Sequence, residues 1–215
     1  MINIDSFYVT RFALALSNVT LLSMQKSKIL STKAAHTKPD PIPKLECFKE
    51  LLNKDSNILD VGCGNGKNCV YLTQQGYKLT GIDISDYQIN IAKESNKRNI
   101  IFDVGDMTNL PYESCSFSGA FCTYSLEASE YEKTLKEIAR ILKKDGYFII
   151  VSLYKIEYHH FKPFNFEISI GNYIDAIRKY FNIIEKELDS YRESDRYGLN
   201  TKYRIKLILQ KNKEH

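Results

Sequence analysis

Ile58-Leu59-Asp60-Val61-Gly62-Cys63-Gly64-Asn65-Gly66-Lys67-Asn68 constrains this chain more than any other stretch. Ile58, Leu59 and Val61 form the short apolar run that a buried strand requires. Three glycines at alternate positions follow. An amphipathic stretch from Lys67 to Gln75 then meets Gly76, a residue suited to the position just past a helix end. Strand, glycine turn and helix in this order make the first unit of a doubly wound α/β fold. Such a unit binds a nucleotide-like ligand beyond the carboxyl end of its strand. A dinucleotide fingerprint would put its third glycine where this chain has Lys67; here that glycine comes one residue early, at Gly66. Asp60 before the turn would repel a pyrophosphate and suits a ligand carrying an ammonium or sulfonium.

The 215 residues suit one α/β domain with an N-terminal addition. A net charge of +4, drawn from many charges of both signs with no long basic block, makes nucleic acid a disfavoured partner. Cys47, Cys63, Cys69, Cys115 and Cys122 contain no C-x-x-C pair, and the four histidines complete no zinc pattern. No metal site is therefore expected, and the scattered thiols suggest a reduced, cytoplasmic protein. Within residues 1–38, Ile4, Tyr8, Phe12, Ala15, Val19 and Leu22 recur at helical spacing, and the lysine-rich Ser27–Lys38 reads as a mobile segment. Arg11, Ser17, Asn18 and Thr20 argue against a cleaved secretory signal. No segment approaches the roughly 18 uninterrupted apolar residues of a membrane span. Lys38 to Pro43, punctuated by proline, opens the domain expected over residues 39–215.

A helix is expected from Lys44 to Asn53 and a second strand from Lys78 to Asp83. Asp83 ends that strand about 20 residues after the glycine turn, where a ribose-binding acid belongs, with a helix-capping or turn acid as the alternative. A carboxylate there accepts from both ribose hydroxyls, and charge-assisted bonds of this kind are strong. Ile84 follows, placed to lie against an adenine face. Ser85-x-x-Gln88 reads as a capping box. A third strand, Asn99 to Val104, leads into Gly105-Asp106-Met107. A fourth, Ser116 to Cys122, leads into Thr123-Tyr124-Ser125. Glu130 to Lys143 has helical periodicity, Asp145-Gly146 reads as a tight turn, and Tyr147 to Leu153 has the continuous apolar character of a buried parallel strand. A short helix over Asn172–Tyr180 precedes strands over Phe181–Leu188 and Lys202–Leu209, joined by the charged segment Tyr191–Asn200.

The phrase D-V-G-C-G-N-G resembles motif I of the class I S-adenosylmethionine-dependent methyltransferases. The proline-punctuated entry before it is similar to that of small-molecule members of the methyltransferase type 11 and tellurite-resistance-like groups. The resemblance covers roughly residues 39–210. It implies a doubly wound, seven-stranded, mostly parallel sheet that ends in an antiparallel hairpin. It also implies S-adenosylmethionine as cofactor, with its methionyl part facing the backbone of Gly62, Cys63 and Gly64, near Asp60 and Asn68. Asp83 and Ile84 take the ribose and adenine. By the likeness of G-D-M with L-P after it, Asp106 accepts from the adenine amine and the Met107 N–H donates to the ring. The segment Cys122-Thr123-Tyr124-Ser125 flanks the sulfonium and the acceptor, Tyr124 either orienting a nucleophile or packing. Two departures stand out: Phe117-Ser118-Gly119 where the family has F-D-hydrophobic, and Asp145 in place of a proline.

Tyr154 to Gly171, with Tyr154, Tyr158, His159, His160, Phe161, Phe164 and Phe166, is long and aromatic for a connector. In the resemblance this insertion covers the acceptor pocket. His159 or His160 is then the candidate general base, with packing or surface positions as the alternative. The expected activity is in-line methyl transfer to a small-molecule acceptor, with no membrane involvement and no reading of oligomeric state. Competing readings are a non-catalytic binding or regulatory protein, a protein or nucleic-acid methyltransferase, and a nicotinamide-dependent oxidoreductase. The early third glycine and the hairpin ending oppose the last.

Overall fold

The computed structural model describes residues 43–96, 99–126, 129–159, 166–195 and 198–213. The helix expected within residues 1–38 lies outside them. A 3₁₀ turn, Pro43–Cys47, runs into α1 (Phe48–Leu51). Then come β1 (Asn57–Val61), α2 (Lys67–Gln74), β2 (Lys78–Asp83), α3 (Asp86–Ser95), β3 (Ile101–Val104) and β4 (Phe117–Thr123). The second half holds α4 (Tyr131–Ile141), β5 (Leu142–Tyr158), β6 (Phe166–Glu167), α5 (Ile170–Arg178), β7 (Phe181–Asp195) and β8 (Gly198–Lys211).

These strands form one sheet in the order β3-β2-β1-β4-β5-β8-β7, with the two-residue β6 pairing off this path against β5. The first five strands run parallel to one another, and β8 runs antiparallel to both β5 and β7. This is the expected doubly wound sheet with its antiparallel ending. Alternation along each strand splits the apolar residues between two cores. Leu59, Val61, Ala120, Cys122, Phe148 and Ile150 face Leu135, Ile138, Tyr173 and Ile177 of α4 and α5. Ile58, Leu79, Phe121 and Ile149 face Leu45, Phe48, Cys69, Leu72, Ile89 and Ala92 of the helices on the other side. Gly119 explains the departure in the fourth strand. A Cβ there would stand 2.7 Å from Leu52 Cδ1 and 3.1 Å from Phe48 Cε1, so its absence lets α1 sit down on β4.

The first half follows the sequence expectations closely, and β2 has the expected bounds. The helix expected over Lys44–Asn53 is shorter and begins as a 3₁₀ turn. The second half differs more. The Asp145-Gly146 turn lies inside β5 as a bulge, with Asp145 at φ 61° and the register shifting between Phe117 and Gly119 of β4. The aromatic stretch 154–171 is regular over much of its length: Tyr154–Tyr158 prolong β5, and Phe166–Glu167 pair back onto it. The charged segment Tyr191–Asn200 is largely strand as well, because β7 and β8 run far beyond their apolar cores. Cross-strand ion pairs hold that extension. Lys202 meets Glu193 at 2.6 Å, Arg204 meets Asp189 at 2.6 Å, and Lys206 meets Glu187 at 2.9 Å. Opposite charges on facing positions stabilise a sheet without apolar side chains.

Candidate active site

The carboxyl ends of β1, β2 and β4 converge on the glycine turn. The N–H groups of Gly62 and Cys63 both donate to Ile82 O, at 2.8 and 3.0 Å, which ties the turn to β2. Gly62 is closely approached: a Cβ there would stand 2.5 Å from Ser125 Oγ and 3.4 Å from Met107 Cε. Gly64, at φ 52°, faces open space instead, its nearest neighbour being Gln88 Oε1 at 4.0 Å. The turn therefore offers exposed backbone at Gly64 on a base clamped by Ser125 and Met107.

Asp83 fixes that backbone. Its Oδ2 accepts from the Gly64 N–H at 2.8 Å, and its Oδ1 accepts from the Ser85 N–H at 2.9 Å. Two oxygens offer about four acceptor sites, so capacity remains for a ligand. Half of the expected capping box forms: Ser85 Oγ accepts from the Gln88 N–H at 3.4 Å, while the Ser85 N–H goes to Asp83. Ile84 is half-buried beside it.

Asp60 lies beneath the turn with no exposure at all. Its Oδ2 accepts from the Cys69 thiol at 3.3 Å, and its Oδ1 has no partner among the described residues. Burial pushes its carboxyl up to about 8; the Cys69 bond opposes the shift and the nearby Asp83 carboxylate adds to it. Burial likewise holds Cys63 and Cys69 as thiols.

Asn68 Nδ2 donates to Thr123 Oγ1 at 3.2 Å, linking the start of α2 to the end of β4. Two residues on, the Ser125 hydroxyl faces Gly62 O and Thr123 O, each at 3.3 Å. Ser125, the end of the segment expected to flank the sulfonium and acceptor, thus touches the glycine turn, a contact that the sequence did not single out. Its role depends on β1 and β4 being neighbours, which no local pattern signals. Cys122 is fully buried among the α4 and α5 contacts, on the opposite face of β4 from Thr123. Asp106 Oδ1 accepts from the Thr108 N–H and hydroxyl, both at 2.8 Å, which orders the loop after β3.

Tyr124 stands just beyond β4, with φ 56° and its N–H donating to Val151 O at 2.8 Å. Its Oη receives Arg204 Nη1 at 2.9 Å. Arg204 and Asp189 were also missed, since their meeting depends on the pairing of two strands whose register no local pattern signals. The structure does not bring His159 to Tyr124. Val151 is the β5 partner of Thr123, and His159 lies eight residues further on, about 26 Å along an extended strand. There its Nε2 meets Thr201 Oγ1 at 2.7 Å. His160 lies outside the described residues. Among the described residues no group of acidic, cysteine and histidine side chains could hold a metal, and no helix is long and apolar enough to cross a membrane.

A ligand with ribose hydroxyls fits this donor set. Asp83 has acceptor capacity left, Gly64 faces open space, and Asp60 carries an orphaned buried oxygen under the same turn. Known proteins point the same way. Residues 59–150 match the family described as "Methyltransferase domain". A putative methyltransferase of Geobacillus sp. (strain WCH70) is 37% identical over 110 residues, covering 47% of this chain and 44% of that protein. A ubiquinone/menaquinone biosynthesis C-methyltransferase of Campylobacter jejuni is 28% identical over 166 residues, covering 70% of each. The chain thus spans less than half of the first of these relatives. Among solved structures, a SAM-dependent methyltransferase of Methanosarcina mazei superposes with a TM-score of 0.63 at 22% identity, over 80% of this chain and 99% of that one. Residues 59–150 thus carry a methyltransferase domain, and these similarities support a class I S-adenosylmethionine-dependent methyltransferase.

Proposed function

We propose that the chain transfers a methyl group from S-adenosylmethionine to a small-molecule acceptor. The observation that carries this reading is the Asp83 carboxylate fastened to the glycine turn through the Gly64 N–H at 2.8 Å. When bound, S-adenosylmethionine supplies a methyl group made electrophilic by its sulfonium. The chain's own residues then bind, orient and exclude water. Asp83 accepts the ribose hydroxyls, and Ile84 lies against the adenine. Asp106 and the Met107 N–H take the edge of the base. The backbone at Gly62, Cys63 and Gly64 faces the methionyl part, with Asp60 and Asn68 around it. Thr123 and Tyr124 border the acceptor, and Cys122 supports them from the core.

Relatives carry names for carbon, nitrogen and oxygen methylation, so kinship leaves the acceptor atom to the site. A small acceptor is favoured over nucleic acid because Lys202, Arg204 and Lys206 beside the site are each paired with an acid. With these pairs made, none of the three offers an unpaired charge to a phosphate backbone. His159 is not adopted as the base, given its distance along β5. The five cysteines form no disulfide with one another, which fits a cytoplasmic setting.

Calorimetry tests the reading. S-adenosylmethionine and S-adenosylhomocysteine should bind at micromolar levels and NADH should not. Asp83→Ala should weaken both adenosyl ligands by roughly 1.5–3 kcal/mol, the worth of charge-assisted hydrogen bonds. Unchanged affinity in a folded variant removes Asp83 from the ribose, and binding of NADH alone overturns the function.

A further inference from the structure

The loop after β3 is anchored by a single turn of α4. Its neck is tight: a Cβ on Gly105 would stand 3.8 Å from Pro111 Cδ, so residues 105–111 leave β3 and return almost to where they began. Its tip reaches the glycine turn, where Met107 Cε lies 3.4 Å from the Cβ position of Gly62. Its other end is held by Glu137 and Arg140, which share one face of α4. Glu137 Oε2 accepts from the Leu110 N–H at 2.9 Å, and Arg140 Nη2 donates to Leu110 O at 2.9 Å. Both backbone polar groups of one loop residue are thus answered by side chains of one helix. Arg140 Nη1 adds a bond of 2.7 Å to Tyr112 O. The two side chains are themselves joined as a fork, Nε to Oε1 at 2.9 Å and Nη2 to Oε2 at 2.8 Å.

Apolar contacts already keep this loop on the sheet. Leu110 is buried in the core, and the Tyr112 ring meets Phe117 edge-on at 5.1 Å. Such contacts have no direction, whereas hydrogen bonds weaken steeply away from their best geometry. The Glu137–Arg140 fork therefore sets the height and rotation of the loop. Its effect reaches the exposed Asp106 through a short path, because the Asn109 N–H beside Leu110 donates to Asp106 O at 3.1 Å. Thr108 engages Oδ1 of Asp106 twice, which leaves Oδ2 to a ligand. We infer that Glu137 and Arg140 are a positioning pair for base recognition: they hold the loop so that Asp106 and the Met107 N–H read the amine-bearing edge of the cofactor's adenine. The pair acts through the loop and leaves the ribose to Asp83. This inference rests on the methyltransferase reading above and adds the residues that set its selectivity for the base.

Calorimetry on the full chain with S-adenosylhomocysteine and S-inosylhomocysteine tests it. The inosyl ligand keeps the ribose and the homocysteine but reverses the base edge, with a carbonyl for the amine and an N–H for the ring nitrogen. Wild type should prefer the adenosyl ligand by about tenfold or more, the worth of a hydrogen bond to a charged group. In Arg140→Lys that preference should shrink about fivefold, because an ammonium cannot reproduce the planar fork onto Glu137 and the two carbonyls. Glu137→Gln should shrink it about twofold, since it keeps an acceptor for the Leu110 N–H and loses the charge. Asp83→Ala should weaken both ligands and leave the preference as it was. Glu137→Gln keeps the shape of the side chain, so it reports even if Arg140→Lys fails to fold. A folded variant of the pair whose preference matches the wild type overturns the inference. So does one that loses both ligands equally, the mark of a merely structural role, and so does a wild type that binds the two ligands alike. A wild type that binds neither ligand would instead sink the parent reading.

Discussion

Asp60 and Asp189 are two acids in one sheet with opposite surroundings. Asp60 sits under the glycine turn, wholly buried, with one thiol partner and one orphaned oxygen, and its carboxyl is pushed up to about 8. Asp189 stands on the β7–β8 hairpin between Arg204 and Lys206, and hydrogen bonds from Arg204 foremost hold it down to about 2. The contrast extends to the regions around them. The turn is built from backbone: glycines, carbonyls and N–H groups in fixed positions. The hairpin is built from side chains, each charge answered across the strand. A backbone-built site tolerates a buried acid that is neutral much of the time. A side-chain-built wall requires its acids ionised.

The largest expected effect separates the two by pH. The Asp60 carboxyl is raised in the folded chain from an ordinary 3.8, so its favourable contribution is full below about pH 4 and is lost as pH rises through about 8. On the order of 6 kcal/mol of folding stability should drain away across that window. Asp60→Asn should flatten the profile, as followed by urea midpoints from pH 4 to 9. A wild-type profile that is already flat would break the contrast.

Steric strain gives the next effect. At Gly66, φ is 75° and an added Cβ would stand 2.6 Å from two atoms of the Phe102 ring. Gly66→Ala should destabilise by about 3 kcal/mol in urea unfolding, since both overpacking and a left-handed backbone act against it. Phe102→Leu in the same background should restore part of the loss, which would sharpen the assignment to that contact.

The smallest effect belongs to the hairpin. Asp189→Asn should cost about 1.5 kcal/mol near neutral pH, because it weakens a forked, partly buried ion pair. The sign of its pH dependence is opposite to that of Asp60. The Asp189 contribution is present above about pH 4 and is lost as pH falls through about 2. Acid unfolding of wild type and variant should therefore converge at low pH.

This difference in construction also decided what could be read from sequence. Gly62, Gly64, Gly66 and Asp83 were legible because few residues satisfy a left-handed turn, and the acid's place is set by strand and helix lengths. Arg204 and Asp189 were not legible. They are 15 residues apart, and they meet only through a register that includes a shift between Ile183 and Glu185. The sequence of Tyr191–Asn200 has the charge of a solvated connector. Its strand character comes from pairing, which a local pattern does not contain. His159 was one candidate base, with a packing or surface position as the alternative, because an aromatic, histidine-bearing stretch suggests a cover; Tyr154–Tyr158 instead continue β5 away from the turn.

Tyr124 carries a consequence for anyone breeding a hardier form of this protein. Its left-handed backbone is a standing cost of roughly 1–2 kcal/mol that glycine would escape. Selection for heat tolerance alone should drift toward glycine or asparagine at position 124, and a collection of such survivors would mark the place where durability and chemistry pull in opposite directions.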